Sequence, residues 1–204
     1  MQKSFGMLMA CLFLLVACAS QPQRHSDPLV DKLQQGGYVI FFRHAATDHT
    51  QKDTDLSHPT NCEAQRHLSD KGRQQAKEIG EGFAMLGIPV GDVITSQFCR
   101  CSNTAKIAFG KAETTIEITS IQGVTPEERL RRIANLRAML NIPPKSNSNT
   151  VIVAHQWMFK EAAGHALEEG EAAIFKPQSE GMAFMVKRIK PQQWKELANA
   201  TGVH

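Results

Sequence analysis

The residues of this chain best suited to chemistry are an Arg-His pair, a further Arg and a further His, each placed just beyond an apolar run. Arg43-His44 follows Tyr38-Val39-Ile40-Phe41-Phe42, Ser96 and Arg100 follow Asp92-Val93-Ile94-Thr95, and His155 follows Thr150-Val151-Ile152-Val153-Ala154. Guanidinium groups offer phosphate oxygens a planar fork of donors at fixed charge. Two such cations beside His44 disfavour its protonation, leaving a neutral imidazole able to act as a nucleophile. In-line attack on phosphorus would give a phosphohistidine, with Arg43, Arg100 and His155 holding the equatorial oxygens; water would then release phosphate. Fixed cations carry the charge in that scheme, so it needs no metal and no other cofactor.

These residues matter only if the fold brings them together. Short continuous apolar runs at 38–42 and 150–154 suit central strands buried on both faces, and Asp92–Thr95 reads as another. Helices alternate with them. Ser69 caps one that runs to about Leu86, with Ala76, Ile79, Phe83 and Leu86 on one face and Gly87 and Pro89 at its end. Ser102 to Phe109 is a second helix closed by Gly110, and Pro126 opens a third carrying Leu130, Ile133, Leu136 and Leu140. Thr115 to Ile118 reads as a strand, a helix follows His155 to about Leu167, and strands near Ala172–Phe175 and Met182–Ile189 precede a helix from Pro191. The pattern predicts an α/β three-layer sandwich, a mainly parallel central sheet with helices on both faces. Ligands of such sheets bind beyond the carboxyl ends of the strands, where Arg43-His44, Arg100 and His155 all fall.

The 204 residues carry 23 Lys and Arg against 20 Asp and Glu, a net charge of +3, and are 42% hydrophobic. Fibrous and wholly disordered classes are excluded, and one domain with a short appendage is expected. With no dense basic tract, one Tyr and two Trp, nucleic acid is not the expected partner. Residues 1–17 combine Lys3 with an uncharged run from Met7 to Ala17, too short for a membrane span of about 20 residues, and read as an export signal. Leu15-Val16-Ala17-Cys18 resembles the lipobox of bacterial lipoproteins, which would make Cys18 an acylated N-terminus, 18–28 a tether and 29–204 the catalytic domain. Ala19 would then favour the outer membrane, with the chain facing the periplasm. Cleavage after Ala19 to release a soluble protein is the alternative. In an oxidising compartment Cys62 and Cys99 are the expected disulfide, leaving Cys101 odd; three separate thiols are the other reading.

Set in order, these segments resemble the histidine phosphatase superfamily, the phosphoglycerate mutase-like fold. Its Arg-His-Gly signature stands here as Arg43-His44-Ala45, its Ser-x-x-x-Arg-x-x-x-Thr-Ala pattern as Ser96 to Ala105, and its Leu-Ser-x-x-Gly-x-x-Gln-Ala helix start as Leu68 to Ala76. The second His of a Val-x-Val-x-His strand is His155. The resemblance runs from about Tyr38 to about Ile189. It implies His44 as nucleophile, Arg43 and Arg100 as phosphate clamps, His155 as phosphate ligand, and Thr47 and Gln156 as further phosphate or substrate ligands. Ala45 departs from the family glycine. The proton donor is a Glu after the second helix in one branch, which implies Glu128 or its neighbour Glu127. In the other branch an acid follows the second His, where Gln156 stands here. Helix-dipole carboxylates are the plainer reading of the Glu pair, and Glu161 lies further along.

Other residues carry weaker signals. The 45–67 segment gathers His49, His58, His67, Asp48, Asp53 and Asp55, but lacks the spacing of a closed metal site and reads as a substrate-facing lid. Cys99-Arg100-Cys101 raises redox control of the pocket, against simple packing. Met139, Met158, Met182 and Met185 read as core filling. Arg129, Arg131, Arg132 and Arg137 form a basic helix face. The expected function is a metal-independent phosphomonoesterase of the cell envelope, anchored by lipid and acting on a small phosphorylated molecule. A non-catalytic binder of anions or metal, and a phosphotransferase or mutase, are the rivals.

Overall fold

Alternate side chains of one buried strand supply both halves of the core. In the computed structural model, which describes residues 27–200, Val39–Arg43 forms β1. Ile40 and Phe42 pack on one face of it, Val39 and Phe41 on the other. Around it the sheet is β3-β2-β4-β1-β5-β6, with β2 at Val90–Ser96, β3 at Glu113–Thr115, β4 at Asn149–Ala154, β5 at Ala172–Lys176 and β6 at Phe184–Ile189. Strands β3, β2, β4 and β1 are parallel, whereas β5 runs antiparallel to both β1 and β6.

Helices α1 (Pro28–Gln35), α2 (Asp70–Met85), α3 (Cys99–Phe109) and α6 (Pro191–Ala200) cover one face, their Leu33, Ile79, Phe83, Cys101 and Trp194 joining the Ile40 and Phe42 cluster. Helices α4 (Pro126–Leu140) and α5 (Gln156–Ala163) cover the other through Ile133, Leu136, Met158 and Phe159. This is the expected three-layer α/β sandwich. The chain steps outward from β1 to β2 and β3, then returns to place β4 between β1 and β2. That reversal opens a crevice at the carboxyl ends of the three strands, where ligands of such sheets bind.

The structure differs from the sequence reading at several ends. Helix α1 has an Asp27 cap accepting the Leu29 amide and Pro28 at its first turn, a start signal the reading passed over. Helix α3 starts at Cys99, three residues before Ser102, because the Cys99 amide is satisfied by Gln65 Oε1 from the preceding loop (2.9 Å). The expected strand at 115–118 is strand only to Thr115; Ile116–Ile118 closes as a 3-10 turn on the Thr115 hydroxyl. Helix α5 stops at Ala163 because Gly164 takes a left-handed cap (φ 77°). Met182 is exposed rather than core.

One glycine has a clear steric reason. Ser69 caps α2, and its amide and hydroxyl both donate to the Ala46 carbonyl two residues beyond His44. A Cβ on Gly72 would lie 1.8 Å from that carbonyl oxygen. We expect Gly72→Ala to cost about 2–3 kcal/mol by overpacking. The melting temperature should drop by about 5–10 °C, read by thermal unfolding; an unchanged melt would refute the close packing.

Candidate active site

His44 is held by its backbone on both sides. Its amide donates to the Ala154 carbonyl at the end of β4 (3.1 Å), and its carbonyl accepts from the Gly170 amide (2.9 Å). The Nδ1 of the ring lies 2.9 Å from the Ala45 carbonyl, an acceptor only, so Nδ1 bears the proton and Nε2 keeps a free lone pair. Ala45 is compatible with this turn: among the described residues Asn147 is the only non-glycine at positive φ. The Ala45 methyl is buried with Leu68 and Ala76, and its amide donates to Thr104 of α3. The departure from the family glycine therefore carries no backbone strain.

Arg43, His44, Arg100, His155 and Gln156 line one cavity of about 210 Å³, joined by Asp53, Arg66, Ser120, Gln122 and Trp157. The two imidazoles stand 5.7 Å apart between ring centres, at 66°. Phe98 supports the far side, its ring 4.5 Å beneath the Arg100 guanidinium carbon and edge-on to His155 at 5.1 Å. Ser96 Oγ accepts from the Phe98 amide (3.2 Å) and hydrogen-bonds His155 Nε2 (2.8 Å), which fixes the ring and leaves its other nitrogen outside that contact. The Nε atoms of Arg43, Arg66 and Arg100 are buried without a hydrogen-bond partner among the described residues. Three cationic forks with unspent donors around one cavity suit a multiply charged anion.

The same burial sets the protonation of the imidazoles. Desolvation, reinforced by Arg100 and Arg43 against the opposing Ala45 carbonyl and Glu169, lowers the His44 pKa to about 3. Desolvation, then Arg100, His44 and Arg43, holds His155 well below its ordinary value. Both are neutral near pH 7, as a nucleophile and a neutral donor require. A histidine whose folded pKa is depressed contributes fully above its unfolded value near 6.5, and that contribution is lost as pH falls below it. The ligand-free protein should therefore lose stability between pH 6.5 and about 3, each buried imidazole contributing a slope of up to about 1.4 kcal/mol per pH unit. Thermal melts across that range should show it, and His155→Asn should flatten the slope; an equal slope in the variant would contradict this origin.

The structure rearranges several expected site residues. Thr47 is buried off the cavity: its hydroxyl donates to Glu169 Oε1 (2.7 Å), so it stands behind Arg43 rather than against a phosphate. Gln156 accepts from Arg43 Nη1 and so aims the guanidinium, with Leu167 O (2.9 Å) and Glu169 (3.4 Å) as its other partners. Glu128 is away from the cavity on α4, bound by Arg131 and Arg132, whose hydrogen bonds hold its pKa at about 2. A carboxylate so held is a poor proton donor, which removes the basis for assigning it as the acid. Its exposed neighbour Glu127 is also off the cavity, and Glu161 pairs with Arg129.

Three site residues escaped the sequence reading, all from connecting segments: Arg66, Asp53 in its role opposite Arg100, and Glu169. Burial acts to raise Glu169, but hydrogen bonds from Thr47 and His49 and the neighbouring His44 and Arg43 outweigh it and lower its pKa. The 45–67 segment uses its polar groups internally, Asp55 with His58 and Asp48 with Thr50, and His49 reaches Glu169. Among the described residues no group of three His, Cys, Asp or Glu stands ready for a metal ion. Cys62 and Cys99 are joined as a disulfide, and Cys101 is a buried free thiol pushed up to about 12 by desolvation. So high a value makes Cys101 packing for His155 rather than a redox group. The basic face of α4 is likewise spent: Arg131 and Arg132 bind Glu128, and Arg137 binds the carbonyls of Glu161 and Ala162.

Two neutral imidazoles and three guanidinium groups thus share one cavity at the carboxyl edge of an α/β sandwich, an arrangement suited to an anion such as a phosphoryl group. The family model of the histidine phosphatase superfamily, branch 1, matches residues 39–121, the stretch that carries Arg43, His44, Arg66 and Arg100. No curated protein sequence matches it. Solved structures share the fold at low identity. The protein histidine phosphatase SixA complexed with tungstate is 14% identical (TM-score 0.56, 76% of this chain and 98% of that one). Phosphoserine phosphatase from Entamoeba histolytica, in complex with 3-phosphoglyceric acid, is 13% identical (TM-score 0.55, 77% and 98%). A mycobacterial glucosyl-3-phosphoglycerate phosphatase is also 13% identical (TM-score 0.51, 74% and 97%).

Proposed function

We propose that this chain hydrolyses phosphomonoesters through a covalent phosphohistidine at His44, without a metal. The observation that carries the reading is the buried, neutral His44, its Nδ1–H held by the Ala45 carbonyl, in a cavity shared with Arg43, Arg66, Arg100 and His155. In-line attack by Nε2 forms the P–N bond as the P–O bond to the alcohol breaks; the three arginines and His155 carry the charge gathered on the transferring oxygens. Water then forms a new P–O bond, breaks P–N and restores neutral His44. The leaving group would lie toward Trp157 and Gln122, which also border a neighbouring cavity of about 480 Å³ with Ile121, Val124 and Arg129. That tungstate and phosphorylated small molecules occupy fold relatives is in keeping with this reading.

We further propose that the protein works in the bacterial cell envelope, anchored through Cys18 and facing the periplasm. The lipobox-like residues, which lie outside the described residues, support this, as does the Cys62–Cys99 disulfide, a bond favoured in oxidising compartments. Envelope phosphosugars or scavenged phosphate esters are the substrates that such a location makes available.

The test is release of inorganic phosphate from p-nitrophenyl phosphate and a phosphometabolite panel, with and without chelator, and with tungstate as competitor. Chelator-resistant, tungstate-inhibited turnover is expected. Anion binding with no turnover of any ester would instead indicate a binding protein, and transfer to an added sugar acceptor in place of water a phosphotransferase. Membrane fractionation of a Cys18→Ser variant tests the anchor, since sedimentation with membranes would refute lipidation.

A further inference from the structure

The phosphatase reading leaves unassigned the group that protonates the departing alkoxide. Asp53 is the one carboxylate among the described residues that line the phosphate cavity. The others nearby are committed: Glu169 to Arg43, Thr47 and His49, Glu161 to Arg129, and Glu128 to Arg131 and Arg132. Asp53 is held by one oxygen only. Its Oδ1 accepts from the Arg66 amide (2.9 Å) and from Arg100 Nη1 (2.9 Å), while Oδ2 has no hydrogen-bond partner among the described residues. The segment that carries it is fixed to the helix that carries Arg100. Cys62 is bonded to Cys99, the Cys99 amide donates to Gln65, and the Thr54 amide donates to the Ala64 carbonyl at 2.8 Å.

From this arrangement we infer that Asp53, through Oδ2, is the proton donor to the leaving alcohol and the proton acceptor for the hydrolytic water. The inference rests on the phosphatase reading. In the free protein Asp53 pairs with Arg100 (2.9 Å). A bound phosphoryl dianion engages the Arg100 fork, weakens that pairing and sets negative charge beside the carboxylate, so Asp53 takes up a proton as substrate binds. The other charged or titratable groups lining the cavity are Arg66 on its own segment, Arg43 at the end of β1, His44 just after it, and His155 after β4. As the P–O bond to the alcohol breaks and the His44 P–N bond forms, the Oδ2 proton passes to the alcohol oxygen. In the second step the Asp53 carboxylate takes a proton from water as oxygen attacks phosphorus and P–N breaks. As phosphate leaves and Arg100 pairs with Asp53 again, that proton passes to solvent and the protein returns to its starting protonation.

The experiment measures kcat/KM, which reports the steps up to departure of the alcohol and not the later attack of water, for phosphomonoesters whose leaving groups run from p-nitrophenol to glycerol, in wild type and Asp53→Asn. A general acid contributes about 10²–10⁴-fold where the leaving group is basic and little where it is not. Wild type should depend weakly on leaving-group pKa. Asp53→Asn should lose at least about a hundred-fold on glycerol phosphate and about ten-fold or less on p-nitrophenyl phosphate. An equal loss on every ester would assign Asp53 to holding Arg100 and overturn the proposal, as would no loss. If the variant does not fold, as judged by its melt, a steep dependence in wild type alone overturns the proposal and leaves the phosphatase reading standing. No turnover of any ester by wild type would overturn both.

Discussion

Replacing His44 with alanine should remove phosphomonoester turnover by about ten-thousand-fold or more. The reason is that nothing else near phosphorus can form the covalent bond. His155 has its Nε2 committed to the Ser96 hydroxyl at 2.8 Å. Ser120 lines the cavity, but its Oγ accepts from the Gln122 amide and none of its hydrogen bonds is to a basic side chain that could activate it. The arginines are cations, and Asp53, whose Oδ1 accepts from the Arg66 amide and Arg100, is the proton carrier for the leaving group in the inference above. The measurement is steady-state phosphate release, together with trapping of an acid-labile, base-stable phosphoenzyme in wild type alone. His44→Ala should keep the wild-type melt near pH 7 to within a few degrees, so that loss of activity is not loss of fold. Turnover within about ten-fold of wild type would contradict the phosphohistidine route.

Arg100→Lys should be nearly as severe, about 10²–10³-fold in kcat/KM, although charge is conserved. Arg100 is 6% exposed in the first turn of α3, with its guanidinium carbon 4.5 Å from the Phe98 ring centre and Nη1 on Asp53. Those contacts fix the plane of the fork and leave its buried Nε unpaired. A lysine ammonium is a point charge on a flexible stem; it cannot meet two phosphate oxygens at once, nor stack as a plane on Phe98. Because the fork holds the anion both before and during transfer, kcat and KM should each worsen, and tungstate inhibition should weaken in step with KM. A lysine variant with near-normal kinetics would show that charge alone matters at this position.

Both expectations use residues that were legible in the sequence, and the reason is local. His44 and His155 follow apolar runs with no helical period, so each run reads as a buried strand and each imidazole as its carboxyl-end residue. Arg100 needed more. It lies inside a helix whose start gives no side-chain cap signal, since Phe98 occupies the cap position. Its placement came from the Ser-x-x-x-Arg pattern rather than from periodicity. Glu128 differs: its place after the second helix suggests an acid, but Arg131 and Arg132, three and four residues on, pair with it away from the cavity.

What the sequence determined by itself was the layered architecture, the strand ends and the imidazole and guanidinium groups they deliver, because alternation, capping residues and apolar runs act over a few neighbouring residues. Tertiary structure alone decided that Arg66 and Asp53 enter the cavity, that Glu169 takes the Thr47 hydroxyl, and that Glu128 lies off the cavity, paired with Arg131 and Arg132. Those outcomes depend on where a long connection is tied, here by the Cys62–Cys99 disulfide and the Gln65 contact to α3. A segment without its own periodicity takes its conformation from partners distant in the chain, and no local pattern encodes them.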